Sequence, residues 1–264
     1  MLTPLKFDDV LNERPQTRGI DVVCQLHHFA IITYAVDPAR FAGLIPDRFK
    51  LDEVEIDGRA QALISVVPFM DVDFTSAVIP FPKFRMGQTN YRVYIVDTNT
   101  GERGVWFLGT TLDSWTVVVP RQLWKLPWHP GRITFDCEFD PQAGRYRRYH
   151  MKTDAEWAPA EVELSQNNEP SLCLPGFPDI ESGLVYLTHP LVSFYHRRDG
   201  RVGSYRVWHE QLLVQPASLI KANFGLLSRT GLVSAEEQQS PHSVLVQPLV
   251  EFTIYLPPQI VAES

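Results

Sequence analysis

The apolar and β-branched residues of the chain fall into short runs separated by turn-forming residues at roughly ten-residue spacing, the pattern of many short strands. Leu26 to Val36 (LHHFAIITYAV) reads as a strand of aromatic and β-branched residues. Asp37-Pro38 supplies a cap and a first-turn proline, which predicts a short helix over Pro38 to Leu44, ended by Ile45-Pro46-Asp47. Ala60 to Phe69 is a second strand, and Pro68 near its end predicts an edge or a terminus. Residues 70 to 87, with Pro80, Pro82 and Gly87, read as a long loop. A loop of that length serves either as a lid or rim, or as a plain surface loop or subunit contact.

Asn90 to Asp97 and Val105 to Gly109 read as paired strands turning at TNTGERG. Thr116 to Ile133 (TVVVPRQLWKLPWHPGRI) then packs four basic side chains among tryptophans, valines and prolines. A short helix over Val118 to Leu126 puts Arg121 and Lys125 one turn apart on one face, and Pro127 stops it. Ile133 to Phe139 and Arg145 to Met151 form a hairpin, and Glu161 to Ser165 continues the β pattern. Val192 to Arg197 and Val202 to Trp208 flank Asp199-Gly200, a strong hairpin signal. Leu213 to Leu227 is mixed, with room for one more helix, and Val244 to Leu256 is a closing strand. With no repeat and no linker-like composition, the pattern predicts one mainly β (α+β) domain over residues 26–264. Its sheet is antiparallel and curled or closed, and a polar, proline-interrupted arm over residues 1–25 precedes it.

Composition narrows the function classes. The 264 residues are 44% hydrophobic and 21% charged, enough to bury a full core. A net charge of −7 without a dominant basic run argues against nucleic acid as partner. The first residues lack the apolar core of a secretory signal, and no apolar run approaches the ~18 residues of a membrane span. Cys24, Cys137 and Cys173 are widely spaced without CxxC, which fits three free thiols buried as small hydrophobes in a reducing cytoplasm; a disulfide plus one spare thiol is the alternative.

No GxGxxG, Walker loop, GxSxG, HExxH or paired CxxC is present, so nucleotide binding, serine hydrolysis and zinc chemistry are disfavoured and no cofactor or metal is expected. Adjacent His27 and His28 in a strand point to opposite faces and cannot share one metal. Arg121 and Lys125 form either a solvated helix face or a functional pair. In the second case apolar surroundings and a neighbouring cation make the amine nucleophilic, or Arg121 clamps a carboxylate. Arg92 in its strand needs a partner if buried, either an internal carboxylate or an acidic ligand. His209-Glu210 has the composition of an acid–base pair, although sequence neighbours seldom face one side of a strand. Trp106, Trp124, Trp128 and Trp208 have a core reading and a ligand-stacking one.

The order of the first strand, Asp37-Pro38 to Leu44-Ile45-Pro46-Asp47, NYRVYIVD, GVWFLG, PRQLWKLPW and VWHEQLLVQPASL resembles the acetoacetate decarboxylase-like superfamily, and within it the YqjF-like branch. The resemblance runs from His27 to the last strand. It implies a mainly antiparallel β-barrel or cone with a few helices around a central cavity, action on small keto acids, and homo-oligomers. The decarboxylases use a Schiff-base lysine directly after the proline of a Tyr-Pro-Lys-Lys motif, in a segment beginning Gly-Arg-Glu-Leu. The matching stretch here is Pro120-Arg121-Gln122-Leu123, then Leu126-Pro127-Trp128-His129, which keeps Arg121 and puts Trp128 at the lysine position. An indole nitrogen has no available lone pair and forms no imine. By residue counting, the family's active-site glutamate falls on Gln88, which cannot move a proton as a carboxylate does, and a substrate-facing arginine falls near His27.

The resulting expectation is a cytoplasmic protein with a cavity for a small keto acid or related carbonyl compound, without Schiff-base decarboxylation. Arg121, Lys125, His129 and His209 are its candidate catalytic residues, and His27, Gln88, Arg92, Trp106 and Trp128 its candidate substrate contacts. The other reading is a non-catalytic small-molecule binder.

Overall fold

The computed structural model describes residues 4–115, 118–167 and 170–262, so Thr116 and Val117, which head the basic tryptophan-rich segment, lie outside the described residues. After the single turn α1 (Phe7–Val10), the chain forms β1 (Val22–Val36), β2 (Phe49–Leu51), β3 (Val54–Ile56), β4 (Arg59–Ser76), β5 (Phe84–Asp97) and β6 (Arg103–Leu112). Then come α2 (Val118–Leu123), β7 (Trp128–Pro130), β8 (Arg132–Asp140), β9 (Arg145–Asp154), β10 (Ala160–Ser165) and α3 (Ile180–Thr188). The rest is β11 (Val192–His196), β12 (Val202–Trp208), β13 (Gln215–Pro216), β14 (Ser218–Phe224), α4 (Gly225–Arg229) and β15 (Ser243–Ile260). The class is mainly β, as expected.

The large sheet runs β5-β4-β1-β15-β12-β11-β6, and a further pairing of β6 with β5 closes these strands into a ring. Most pairs are antiparallel, as expected of a mainly antiparallel sheet, while β11 and β7 both run parallel to β6. A separate four-stranded sheet, β14-β10-β9-β8, covers one outer face. Two-residue alternation sends Ala30, Ile32, Ile64, Val66, Tyr91 and Val93 toward that second sheet, where they bury against Tyr149, Met151, Val162 and Phe224. The opposite parity, with Val67, Phe69, Tyr94 and Phe107, faces the ring interior. Each such fully buried large side chain stabilises the fold by about 1.5–3 kcal/mol.

β1 changes parity partway. Cys24 and Leu26 face inward, and so do Phe29 and Ile31. The change occurs at His27-His28, where His28 has left-handed backbone (φ 52) and the register against β4 shifts between His27 and Ile32. This also explains Pro68, which lies inside the sheet, not at the edge or terminus predicted from sequence. It pairs with Thr89 of β5, and its missing N–H falls where β1 offers β4 no partner.

Several elements differ from the sequence reading. The helix after Asp37 is one 3-10 turn, Pro38–Phe41, with the Asp37 carboxylate accepting from the Ala39 N–H. The predicted loop at 70–87 is mostly strand: β4 and β5 pair through it, leaving 77–83 as the connection. Of the residues that prompted the loop reading, Pro80 and Pro82 fall in that connection and Gly87 lies within β5. α2 ends at Leu123, and Lys125 has left-handed backbone (φ 56), so Arg121 and Lys125 do not share a helical face. Leu213–Leu227, read as mixed with room for one helix, holds β13, β14 and the start of α4. α3 was not foreseen; Asp179 caps it by accepting from the Ser182 N–H, and its Tyr186 and Leu187 pack into the ring against Tyr94.

The arm is tied down over the ring. Asn12 accepts from the Trp208 indole, Pro15 from the Tyr255 hydroxyl, and Phe7 packs on His189. Among the described residues, no helix is long and apolar enough to cross a membrane. All three cysteines are free, but of the three expected to be buried only Cys24 is; Cys137 is half-buried and Cys173 exposed.

Candidate functional site

Each of the seven ring strands contributes side chains to one cavity of about 70 Å³, which therefore lies inside the ring. β5 supplies its polar wall, because alternation turns Gln88, Asn90 and Arg92 inward while Tyr91 and Val93 turn out. The Gln88 amide donates to Asn90 Oδ1 at 2.9 Å, and the Thr110 hydroxyl donates to the same oxygen at 2.7 Å. Arg92 donates from Nη2 to the Leu187 carbonyl at 3.0 Å, placing a cation at the C-terminal end of α3. The Arg92 guanidinium lies 5.7 Å from the Tyr94 ring centroid, and its buried Nε has no hydrogen-bond partner among the described residues.

The rest of the lining is mostly apolar, with Leu26, Phe29, Phe107, Val207 and Phe252, and Thr188, Ser193, Tyr205 and His209 are among its polar members. His209 is 2% exposed, stacks on Phe252 at 4.4 Å and meets His189 edge-on at 5.0 Å. Its Nδ1 lies 2.7 Å from the Glu210 carbonyl, which can only accept, so Nδ1 carries the proton. Burial, with smaller contributions from His189 and Arg92, pushes the imidazole down to about 3. His209 is therefore neutral, with Nε2 as a hydrogen-bond acceptor. Glu210 is exposed, so the two residues do not form a side-chain acid–base pair.

Asp71 of β4 also lines the cavity; it is 2% exposed, and its Oδ2 has no hydrogen-bond partner among the described residues. Burial lifts its carboxyl to about 7, opposed by its neighbour Cys24. Sequence reasoning missed both residues. Asp71 was assigned to a loop and Cys24 to the arm, and continued alternation past Phe69 was the signal that would have placed Asp71.

Of the nine residues singled out from sequence, Gln88, Arg92 and His209 meet at this cavity, and the other six do not line it. Arg121 borders a surface groove with Arg132, Asp154 and Glu156. Lys125 is half-buried, and its carbonyl accepts from the Arg198 N–H at 2.9 Å. His129 stacks flat on Trp157 (4.0 Å, 3°); burial first, then Arg121, Arg198 and Arg229, pushes it down to about 4. Trp128 packs beside Met86 and Leu112. Trp106 has the wrong parity on β6 and is buried between Phe49 and His196. His27 is half-buried with its Nε2 3.4 Å from Gln25 Oε1; burial and then Arg85 lower its pKa.

The structure is similar to acetoacetate decarboxylase from Legionella pneumophila, at 12% identity and a TM-score of 0.58 over 99% of this chain and 98% of that one. It is also similar to an acetoacetate decarboxylase-like enzyme from Sphingomonas wittichii (13% identity, TM-score 0.57, 91% and 92% covered). A third is the enduracididine biosynthesis enzyme MppR, complexed with the condensation product of pyruvate and imidazole 4-carboxaldehyde (11%, 0.57, 98% and 97%). At these identities the likeness establishes an acetoacetate decarboxylase-like fold. No curated protein matches the sequence. The profile of one family, DUF2071, described as an uncharacterized conserved protein, matches residues 24–251.

Proposed function

The chain belongs to the DUF2071 family, and from the cavity it builds we propose that it is an enzyme acting on a small keto acid or related carbonyl compound without forming an imine. The observation that carries this reading is the Arg92 side chain, a half-buried cation that lines a small cavity and whose buried Nε–H has no hydrogen-bond partner among the described residues. A carboxylate placed there gains a charge-assisted hydrogen bond and relieves an unpaired buried donor. The neutral His209 Nε2 accepts a proton-bearing oxygen of the ligand's enol or hydrate, and Gln88 is a second hydrogen-bonding group. No lysine is found among the described residues that line the cavity, which supports a route without a Schiff base. Of the three side chains expected to handle protons or the carbonyl (Lys125, His129 and His209), only His209 reaches the cavity. A similar structure, MppR, is known complexed with pyruvate, which supports the ligand class. The free thiols support a cytoplasmic setting.

The test has two parts. Pyruvate or acetoacetate should raise the melting temperature of the wild type but not of Arg92→Met, and borohydride with either acid should leave the protein mass unchanged. Solvent deuterium entering the pyruvate methyl group, followed by NMR, then separates turnover from mere binding. A reduced adduct on any lysine, or a melting shift that survives Arg92→Met, refutes the reading.

A further inference from the structure

The cavity has a second polar end. Along β4, Asp71 pairs in register with Met86, whereas Ser65 pairs with Arg92. Six residues of extended strand, on the order of 20 Å of backbone, separate the two positions, while both side chains line the one cavity and both act electrostatically on Tyr205. Cys24 of β1 and Asp71 are neighbours at this other end, 4% and 2% exposed, and both line the cavity. A buried carboxyl oxygen without a partner is costly, and Asp71 Oδ2 is one that a ligand can satisfy. Cys24 is the buried thiol nearest that oxygen's carboxyl group, and the mechanism built on Arg92 and His209 uses neither.

We propose that Cys24 and Asp71 form a reactive pair that adds the thiol reversibly to the carbonyl carbon of a small neutral aldehyde. The sulfur–carbon bond forms as Asp71 takes the thiol proton. The carbonyl π pair moves to oxygen, which receives that proton from Asp71, so a hemithioacetal forms and the carboxylate is restored. Nothing is oxidised or reduced. The aldehyde is neutral because a second anion beside an ionised Asp71 is repelled, and small because Leu26 and Phe252 close the walls. Burial holds the Cys24 thiol well above its usual range, so it keeps its proton until a base removes it, and Asp71 at about 7 is partly ionised at neutral pH.

The full chain carrying Cys173→Ser, which removes the exposed thiol, is mixed with propionaldehyde labelled with ¹³C at its carbonyl carbon. A protein-bound tetrahedral carbon resonance is expected. It should vanish in Cys24→Ser or, should that variant fail to fold by circular dichroism, in Cys24→Ala. Adduct formation should slow about a hundredfold in Asp71→Asn, the usual scale of a lost general base. Propionaldehyde should also protect Cys24 reversibly from iodoacetamide. No tetrahedral resonance in the folded protein, or one that persists without Cys24, overturns the proposal. An unchanged rate in Asp71→Asn removes Asp71 from it. Arg92→Met should leave the adduct intact, so failure of pyruvate to bind would count against the keto-acid reading alone.

Discussion

Arg92 of β5 donates to the Leu187 carbonyl at 3.0 Å, so the cation of the cavity and the last turn of α3 are held by one hydrogen bond across the ring. The Tyr94 hydroxyl donates to the same carbonyl at 3.1 Å, so the carbonyl stays satisfied if the arginine is removed. Arg92→Met is therefore expected to fold, and to lose about ten- to a hundredfold in affinity for a small acid, the scale of one hydrogen bond to a charged group. Arg92→Lys keeps the charge without the planar fork and should fall between the two. Isothermal calorimetry with pyruvate measures both.

Two buried groups give the stability–pH curve opposite slopes. His209 falls from the usual 6.5 to about 3 on folding, so its contribution is full above about 6.5 and is lost as pH falls toward 3. Asp71 rises from 3.8 to about 7, so its contribution is full below 3.8 and is lost as pH rises through 7. Urea midpoints for Asp71→Asn relative to wild type should therefore improve from pH 4 to pH 8. Those for His209→Gln should improve, relative to wild type, from pH 7 down to pH 4. The same trend in both variants would contradict these assignments.

Lys125→Ala should leave the pyruvate-induced melting shift unchanged and the borohydride result negative. The side chain does not line the cavity, and its backbone has left-handed geometry at the end of α2. A lost shift would mean that the residue reaches the ligand.

Gly109→Ala places a Cβ about 2.5 Å from the Trp157 ring, which lies flat on His129. Something must move, so about 1–3 kcal/mol of destabilisation is expected, with a change in tryptophan emission as the stack opens. Urea unfolding followed by fluorescence reads both.

The strands of the ring were legible because alternation is a local signal: NYRVYIVD and the Asp199-Gly200 hairpin declared themselves. Arg92 was found for the same reason, as a charge at an inward position among apolar neighbours. Trp106 was misplaced by one step of the same alternation. Asp71 was hidden because Pro80, Pro82 and Gly87 extended the loop reading back over the end of β4, and Cys24 because the arm was carried to residue 25, inside β1. The closure of β5 on β6 and the position of α3 inside the ring depend on contacts between distant segments, which no local pattern carries. Lys125 illustrates a third limit: a left-handed residue broke the helical spacing that had put it beside Arg121.

The half-step at His27-His28 sets the phase of everything upstream on β1. Straighten that one residue into extended backbone and β1 becomes an uninterrupted zigzag in which Phe29 and Ile31 keep their places, while Cys24 and Leu26 rotate out of the interior. The wall beside Asp71 would then be rebuilt from Val23 and Gln25, so a histidine that does not line the cavity determines which side chains do.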